Sequence, residues 1–317
     1  MAPTDGNAQR ARGGAAYLVC AVCATASVTI LLKESFSQGA VARELMVAQV
    51  TIAGVLATAF LPAALRAGVT RRIVATSAGA GVALALALAW CWEAIARLPA
   101  GVAVVLVFCA PAWVAIGQPL FLRQPLGRGE ALGGALAIAG ILVMVGSFDS
   151  SLDLTAVGIA LASSVAFAAF LVMSQSLGSV GSVAGSAALV LPFAGMAAFA
   201  LWPGSGVNGF EYLTGDVYAT LSAFVIFAWA VLISMGVRRT SAMTAVVVSA
   251  LEPAVVSVAS YLIFSESLAT REIAGGSIVL VGSLLAMLQD VRRVEPLEPA
   301  LPAASAGASG RRWGSGP

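Results

Sequence analysis

The residues best placed to do chemistry are a glutamate and a proline inside a long apolar run. Glu252 lies about eleven residues from either end of the run 241–264, a depth of about 16 Å at 1.5 Å per helical residue. A carboxylate at that depth in a membrane is costly unless it faces a cavity or a partner. Because burial favours its neutral form, Glu252 is expected to take up and release a proton near neutral pH.

The neighbouring proline predicts a second polar group at the same place. Pro253 has no backbone N–H, so the carbonyl group of Ser249, four residues earlier, loses its helical donor. A kinked helix with a free carbonyl beside a carboxyl group can bind a proton or a substrate ammonium. Glu252, Ser249 and Pro253 are therefore predicted to form a proton-coupling and substrate site. The alternative is a protonated Glu252 that makes one interhelical hydrogen bond.

Other polar groups lie within or beside apolar segments. Glu93 precedes Arg97 by four residues, a spacing that favours an ion pair, with a substrate contact as the alternative. Arg43 and Glu44 are expected to pair at the outer end of the second segment. The candidates to line a cavity are Glu93, Trp92, Trp113, Gln49, Gln118, Gln175 and Trp229. The glutamates expected at membrane borders, as solvated helix ends, are Glu130, Glu266 and Glu272.

Residue content excludes several catalytic chemistries. The chain has no histidine, which removes histidine-based triads and zinc sites of the HExxH type. An intramembrane aspartyl protease needs two membrane-buried aspartates, whereas Asp149, Asp153 and Asp216 lie in or beside loops. The cysteines expected to be small core residues in apolar runs are Cys20, Cys23, Cys91 and Cys109. No catalytic residue, metal site or cofactor is predicted, and the protein is not expected to be an enzyme.

The elements that must position these groups follow from composition. Of the 317 residues, 60% are hydrophobic and 10% are charged, whereas a soluble domain is about 45–50% apolar and about 25% charged. The chain is therefore predicted to be an all-α, polytopic membrane protein. Ten segments are long enough to cross a bilayer: 15–32, 41–64, 73–96, 100–121, 130–146, 155–175, 183–202, 217–236, 241–264 and 271–288. The ends, 1–13 and 293–317, are predicted to be disordered cytoplasmic tails.

The basic residues predict the orientation of these segments. With both termini in the cytoplasm, 13 of the 17 basic residues lie inside, as the positive-inside rule requires. The basic residues left outside are Lys33, Arg43, Arg97 and Arg271. Arginine outnumbers lysine sixteen to one, which favours a GC-rich bacterial genome and hence a bacterial cytoplasmic membrane.

An internal repeat is the strongest long-range signal. A shift of 142 residues lays 97–145 on 239–287 without a gap, with 15 identities in 49 positions. Five segments separate the copies, an odd number, so the units 14–147 and 154–289 are predicted to be inverted five-helix repeats. Inverted repeats are the basis of alternating access. The glycines expected to pack helices closely are Gly133, Gly134, Gly140, Gly275, Gly276 and Gly282.

With these features the sequence resembles the drug/metabolite transporter superfamily, in particular its ten-helix EamA-type members. Residues 92–111 and 251–268, with the glycines that follow, carry the resemblance, which extends over all ten segments. Leu251-Glu252-Pro253 followed by Phe264-Ser265-Glu266 is similar to the amino-acid exporters of the threonine/homoserine type. The resemblance implies a secondary transporter that exports small organic solutes such as amino acids, amines or drugs.

Two other functions are left as alternatives: an intramembrane lipid-modifying enzyme, and a non-transporting membrane sensor or scaffold. Within transporters, phosphate-bearing substrates are disfavoured, because every basic residue lies at a border, loop or tail. A lone buried carboxylate suits amines, zwitterions or cationic drugs. The expected partners are a small-molecule substrate, protons and the lipid bilayer, without nucleic acid. A homodimer is compatible with the sequence.

Overall fold

The structure is a computed structural model that describes residues 5–66, 68–97, 106–145, 153–177, 183–264 and 270–293. These residues form thirteen helices and no strand, which confirms the all-α class. The helices are α1 (Asp5–Ser37), α2 (Ala42–Thr58), α3 (Leu61–Arg66), α4 (Arg71–Arg97), α5 (Ala110–Leu122), α6 (Arg128–Val145), α7 (Leu154–Ser176), α8 (Val183–Leu201), α9 (Pro203–Gly215), α10 (Val217–Val237), α11 (Ala242–Ser249), α12 (Glu252–Phe264) and α13 (Thr270–Arg293).

Among the described residues, five stretches are long and apolar enough to cross a membrane. They are Gly13–Leu31, Arg71–Ala94, Leu154–Ser176, Val217–Val237 and Ala242–Ile263. A sixth arises if Ala187–Leu201 and Pro203–Glu211, which meet at 107°, are counted as one bent span. The apolar helix Ala110–Leu122 has 13 residues, about 20 Å, and falls short of a bilayer core of about 30 Å.

The termini of the described chain differ from the expected tails. Helix α1 begins at Asp5, so residues 5–13 extend the first long helix instead of forming a disordered segment. Alanine, glutamine and arginine, which are good helix formers, dominate residues 8–12 and explain the extension. At the other end α13 continues to Arg293. The rest of the expected C-terminal tail, 294–317, lies outside the described residues.

Three helices begin at short polar side chains that cap their first N–H groups. Asp153 Oδ1 accepts from the N–H of Thr155 at 2.9 Å, at the start of α7. Asp216 Oδ1 accepts from the N–H of Tyr218 at 2.8 Å, at the start of α10. Ser241 Oγ accepts from the N–H of Thr244 at 3.0 Å, at the start of α11. Each cap satisfies a donor that no helical carbonyl can reach, and so sets where the apolar helix starts.

Apolar residues cover much of the exterior, while small residues occupy the interior. Leu154, Phe121 and Leu262 are 82%, 74% and 72% exposed, whereas the core includes many alanines with no exposed surface. A water-facing surface rarely carries so many large exposed apolar side chains. The inside-out distribution matches helices whose outer faces contact lipid.

The helices pack in pairs that link the two halves of the chain. Helix α1 packs on α10 and α4 packs on α7. Helix α2 packs on α8, and α6 packs on α13. The short helices follow the same scheme, since α3 packs on α8 and α9 packs on α2. Helix α11 is buried throughout and contacts α1, α5, α6, α7, α10 and α13, so it lies at the centre of the bundle.

Glycines make the α6–α13 contact close enough for the two backbones to touch. A Cβ added to Gly133 would lie 2.7 Å from the carbonyl oxygen of Gly282, and one added to Gly282 would lie 2.7 Å from that of Gly133. A Cβ on Gly140 would lie 2.6 Å from the carbonyl oxygen of Gly275. Gly133 meets the later glycine of α13 and Gly140 the earlier one, so the helices run antiparallel. Their packing depends on the missing side chains.

The contact between α2 and α8 has the same character. A Cβ added to Gly54 would lie 2.8 Å from the carbonyl oxygen of Leu191, and one added to Gly195 would lie 3.2 Å from that of Val50. A shift of 141 residues exchanges these two contacts, because it carries Gly54 to Gly195 and Val50 to Leu191. The sequence repeat was found only over 97–145 and 239–287. The packing extends its pattern to a pair of helices outside that region.

Candidate functional site

The candidate site is a break in the central span, between α11 and α12. Helix α11 ends at Ser249, Ala250 and Leu251 form a turn, and α12 begins at Glu252. The N–H of Leu251 bonds to the carbonyl of Val248 at 3.0 Å, a tight turn in place of an α-helical bond. Within the described part of the chain, no backbone N–H donates to the carbonyl oxygen of Ser249. Pro253 is the cause, because it lacks the donor that would reach that carbonyl.

Glu252 lies where three helices meet at this break. Its side chain is partly accessible, unlike the fully buried residues of α11. The hydroxyl group of Thr29, in α1, lies within hydrogen-bonding reach of the carboxyl group. The thiol of Cys91, in α4, is close enough to experience the carboxylate charge. The site therefore combines a carboxyl group, a hydroxyl group and an unpaired backbone carbonyl.

Thr29 can adapt to either protonation state of Glu252. Its hydroxyl also donates to the carbonyl of Thr25, four residues earlier, at 3.2 Å. A hydroxyl has one proton to donate and lone pairs that accept. When Glu252 is ionised, Thr29 can donate to the carboxylate; when Glu252 is protonated, Thr29 can accept its proton and keep the bond to Thr25. The carboxyl group thus has a partner in both states.

The first half of the chain contains the same break without the carboxyl group. Phe108 and Cys109 form a turn, and α5 begins at Ala110, which lies 142 residues before Glu252. The N–H of Cys109 bonds to the carbonyl of Leu106 at 3.3 Å, the counterpart of the Leu251 bond. Ala110 is fully buried. The backbone geometry is therefore duplicated, and the acidic group is not.

At its N-terminal end, α11 is capped by side chains from three different elements. The N–H of Ala242 donates to Gln175 Oε1, from α7, at 2.9 Å. The N–H of Met243 donates to Gln118 Oε1, from α5, at 3.3 Å, and the N–H of Thr244 donates to Ser241 Oγ. Gln118 and Gln175 were predicted to line a cavity. The structure instead gives their amide oxygens to the free N–H groups that start the central helix.

Glu130 differs from the sequence expectation. It was expected at a solvated helix end, but it is fully buried. Its carboxyl group accepts from the N–H of Gly127 at 2.7 Å and from the hydroxyl of Ser241 at 2.6 Å. Glu130 is the third residue of α6 and reaches back to the residue before the helix, as in a capping box. The bond to Ser241 is tertiary and joins α6 to the start of α11.

Glu93 lies in an ion-pair cluster. Arg97 Nε donates to Glu93 Oε1 at 2.7 Å, as the spacing predicted, and Arg43 also pairs with Glu93. The expected pair between Arg43 and Glu44 is therefore wrong, because Arg43 bonds to Glu93. Glu44 accepts instead from Asn208 Nδ2 at 2.9 Å. With two arginines on its carboxylate, Glu93 is less suited to an ammonium substrate than Glu252.

The remaining candidates hold helices together. Gln49 is fully buried and its Nε2 donates to Ser222 Oγ at 2.5 Å, joining α2 to α10. Trp113 Nε1 donates to Ser164 Oγ at 2.9 Å, joining α5 to α7. Trp229 is buried in the main apolar cluster, and Trp92 packs against the edge of the same cluster. None of these contacts brings the four side chains to Glu252.

The structure therefore leaves the break itself as the candidate site and adds two residues to it. Thr29 and Cys91 were missed by the sequence interpretation, since neither type of residue is unusual in an apolar helix. No local spacing links them to Glu252, because they lie on helices far away in the chain. Glu130, in contrast, had a readable signal: a glutamate three residues after a glycine at a helix start.

Comparison with known proteins identifies the fold alone. One crystal structure superposes with a TM-score of 0.61 over 88% of this chain and 99% of that chain, at 16% sequence identity. No protein-family model and no curated protein sequence matches the chain. The helical arrangement thus recurs in a solved protein whose sequence has diverged almost completely.

Proposed function

We propose that the chain is a secondary transporter of the drug/metabolite transporter type, with ten spans arranged as inverted repeats over 14–147 and 154–289. It exports small organic solutes such as amino acids or amines across the bacterial cytoplasmic membrane, with both termini in the cytoplasm. Proton exchange drives the export. The carrying observation is the broken central span that presents Glu252 beside the unpaired carbonyl of Ser249.

A broken span supports transport because of what irregular backbone requires inside a membrane. Unpaired carbonyl groups at membrane depth are tolerated only where they are buried in protein or line a polar cavity. Broken helices in transporters place such groups around the substrate and the coupling ion. The helix break, the partly accessible Glu252 and the nearby hydroxyl of Thr29 together fit a site for a proton or an ammonium group.

The packing of the helices supports the inverted repeat. Exchanging the two halves turns the α1–α10 pair into the α7–α4 pair, and leaves α2–α8 and α6–α13 as self-paired contacts. The shift of 142 residues carries Gly133 to Gly275 and Gly140 to Gly282, and so exchanges the two close glycine contacts. An antiparallel contact that is exchanged in this way has a two-fold axis across the helices, as inverted repeats have.

The proposed mechanism uses one carboxyl group for two occupants in turn. A protonated Glu252 is neutral and makes no ion pair, whereas the ionised form attracts an ammonium group. Proton uptake from one side therefore releases the substrate, and proton loss to the other side prepares the site again. Rocking of the paired helices would expose the break alternately to each face. Phosphate-bearing substrates fit poorly, since the nearest described arginines, Arg43 and Arg97, are held by Glu93.

The test is a flux assay on purified protein in liposomes. Vesicles are loaded with labelled threonine or an amine such as tyramine, a pH gradient is imposed, and efflux is compared between wild type and Glu252→Gln. Gradient-driven efflux should fall at least tenfold in Glu252→Gln, because the amide cannot exchange a proton. Asp153→Asn is the matched control, since it neutralises an acidic helix cap that lies away from the break.

The outcomes separate the alternatives. Equal efflux in Glu252→Gln and wild type would reject Glu252 as the coupling group. Turnover of a lipid without efflux would favour the intramembrane enzyme, and neither activity would favour a sensor or scaffold. Labels introduced at Arg97 and Arg239 test the repeat separately, because an inverted repeat requires them on opposite faces of the membrane.

A further inference from the structure

A second polar feature is a cavity of about 600 Å³ where α1 ends, α2 begins, and α9 meets α10. Its lining includes Ser35, Glu44, Asn208, Glu211 and Asp216. Ser35 lies six residues beyond Thr29 on α1, about 9 Å along the helix axis. The cavity is thus separate from the Glu252 site but close to it along the same helix.

The cavity is acidic. Three carboxyl groups line it, and none of the described lining residues is basic. Glu44 Oε1 accepts from Asn208 Nδ2 at 2.9 Å, and Asp216 Oδ1 accepts from the N–H of Tyr218 at 2.8 Å. Ser35 belongs to the last turn of α1, where the helix dipole favours a positive charge. These charges attract a cation.

Two buried atoms of the lining lack a partner. Ser35 has no exposed surface, and its Oγ has no hydrogen-bond partner within the described part of the chain. The second carboxyl oxygen of Asp216, Oδ2, is also buried and unpaired there. Buried polar atoms in native proteins nearly always have a partner, so both atoms indicate a missing ligand. Because both atoms can accept, that ligand is a hydrogen-bond donor.

We propose that this cavity binds an organic amine, whose ammonium group donates to Asp216 Oδ2 and Ser35 Oγ. Glu44 and Glu211 then lie around the rest of the molecule. A bare metal ion fits less well, because no three acidic or thiol side chains converge on one point among the described residues. The volume suits a small organic molecule. This site depends neither on Glu252 nor on transport.

The test is calorimetric titration of the purified full-length protein at low salt with 1,4-diaminobutane. Wild type should bind the diamine, and 4-aminobutyrate should bind at least fivefold more weakly, because its carboxylate is repelled. Asp216→Asn keeps the helix cap but removes the charge, so its Kd should rise at least fivefold. Asp153→Asn, the equivalent cap of α7 outside the cavity, should bind like wild type.

Further variants keep the proposal falsifiable if Asp216→Asn folds poorly. Ser35→Ala and Glu211→Gln should each raise the Kd at least twofold, whereas Glu252→Gln should leave it unchanged. Absence of any diamine binding to wild type, or equal binding by Asp216→Asn, would overturn the proposal. Tighter binding of Ca²⁺ that Asp216→Asn abolishes would also overturn it, in favour of an inorganic-cation site. Diamine binding with no efflux would uphold this site and reject the proposed transport.

Discussion

The two halves of the chain break a helix at equivalent places, but only one break carries an acid. Phe108–Cys109 and Ala250–Leu251 form matching turns, and a proline is the second residue of the helix that follows each turn. In the first half the position after the turn is Ala110, fully buried; in the second it is Glu252, partly accessible. The backbone is symmetric and the chemistry is not.

This difference separates a structural role from a functional one. A break that occurs in both halves follows from proline and from the packing around it, so it needs no substrate to explain it. The carboxyl group has no such explanation, because a carboxylate in an apolar helix is unfavourable without a partner. Its partners are also specific to one half, since the residue 142 positions after Thr29 is Leu171, which is fully buried.

The largest expected effect comes from moving the acid to the other break. Ala110→Glu places a carboxyl group at a fully buried position, where it should destabilise the protein by about 3 kcal/mol or more. The yield of monodisperse protein after detergent extraction should fall severely. Glu252→Ala, the matched change at the accessible break, should keep its yield. Similar yields for Ala110→Glu and wild type would show that both breaks tolerate an acid.

A smaller effect is expected from Glu130, a buried glutamate with defined protein partners. Glu130→Ala leaves the N–H of Gly127 and the hydroxyl of Ser241 unpaired, which should lower the free energy of unfolding by about 2–3 kcal/mol. Glu130→Gln retains one acceptor and should lose less. Thermal unfolding in detergent measures both. A Glu130→Ala protein as stable as wild type would contradict the capping role.

The glycine contacts test whether the halves are equivalent in packing. Gly133→Ala and Gly282→Ala each bring a Cβ within 2.7 Å of the opposite carbonyl oxygen, and each should destabilise by about 1–2 kcal/mol. The two losses should be similar, because the contacts are reciprocal. Gly158→Ala is the control, since nothing lies within 4 Å of its added Cβ, and it should not destabilise. Unequal losses in the same thermal assay would argue against equivalent halves.

The smallest effect is expected from the hydroxyl group beside Glu252. Thr29→Val removes the hydrogen bond while keeping the shape, a change of about 1 kcal/mol, so efflux should fall about fivefold. Thr29→Ser should restore most of the efflux, because the hydroxyl returns. The liposome assay measures both variants. Unchanged efflux in Thr29→Val would show that Glu252 works without this partner.

Local spacing predicted contacts well, and long-range partners were out of its reach. The ion pair between Glu93 and Arg97 follows from a separation of four residues, whereas Arg43 joins it from another helix. Gln118 and Gln175 look like cavity residues in the sequence. Only the packing of α5 and α7 around the start of α11 turns their amide oxygens into helix caps.

The sequence by itself determined the all-α class, the apolar spans and the break at Pro253, because composition and a missing N–H act locally. It also determined the spacing of the glycines, since the repeat is written in residue order. Tertiary structure alone decided that Gly133 meets Gly282, that Glu130 is buried, and that Thr29 and Cys91 lie beside Glu252. Those contacts join residues distant in the chain, so they exist only once the helices have packed.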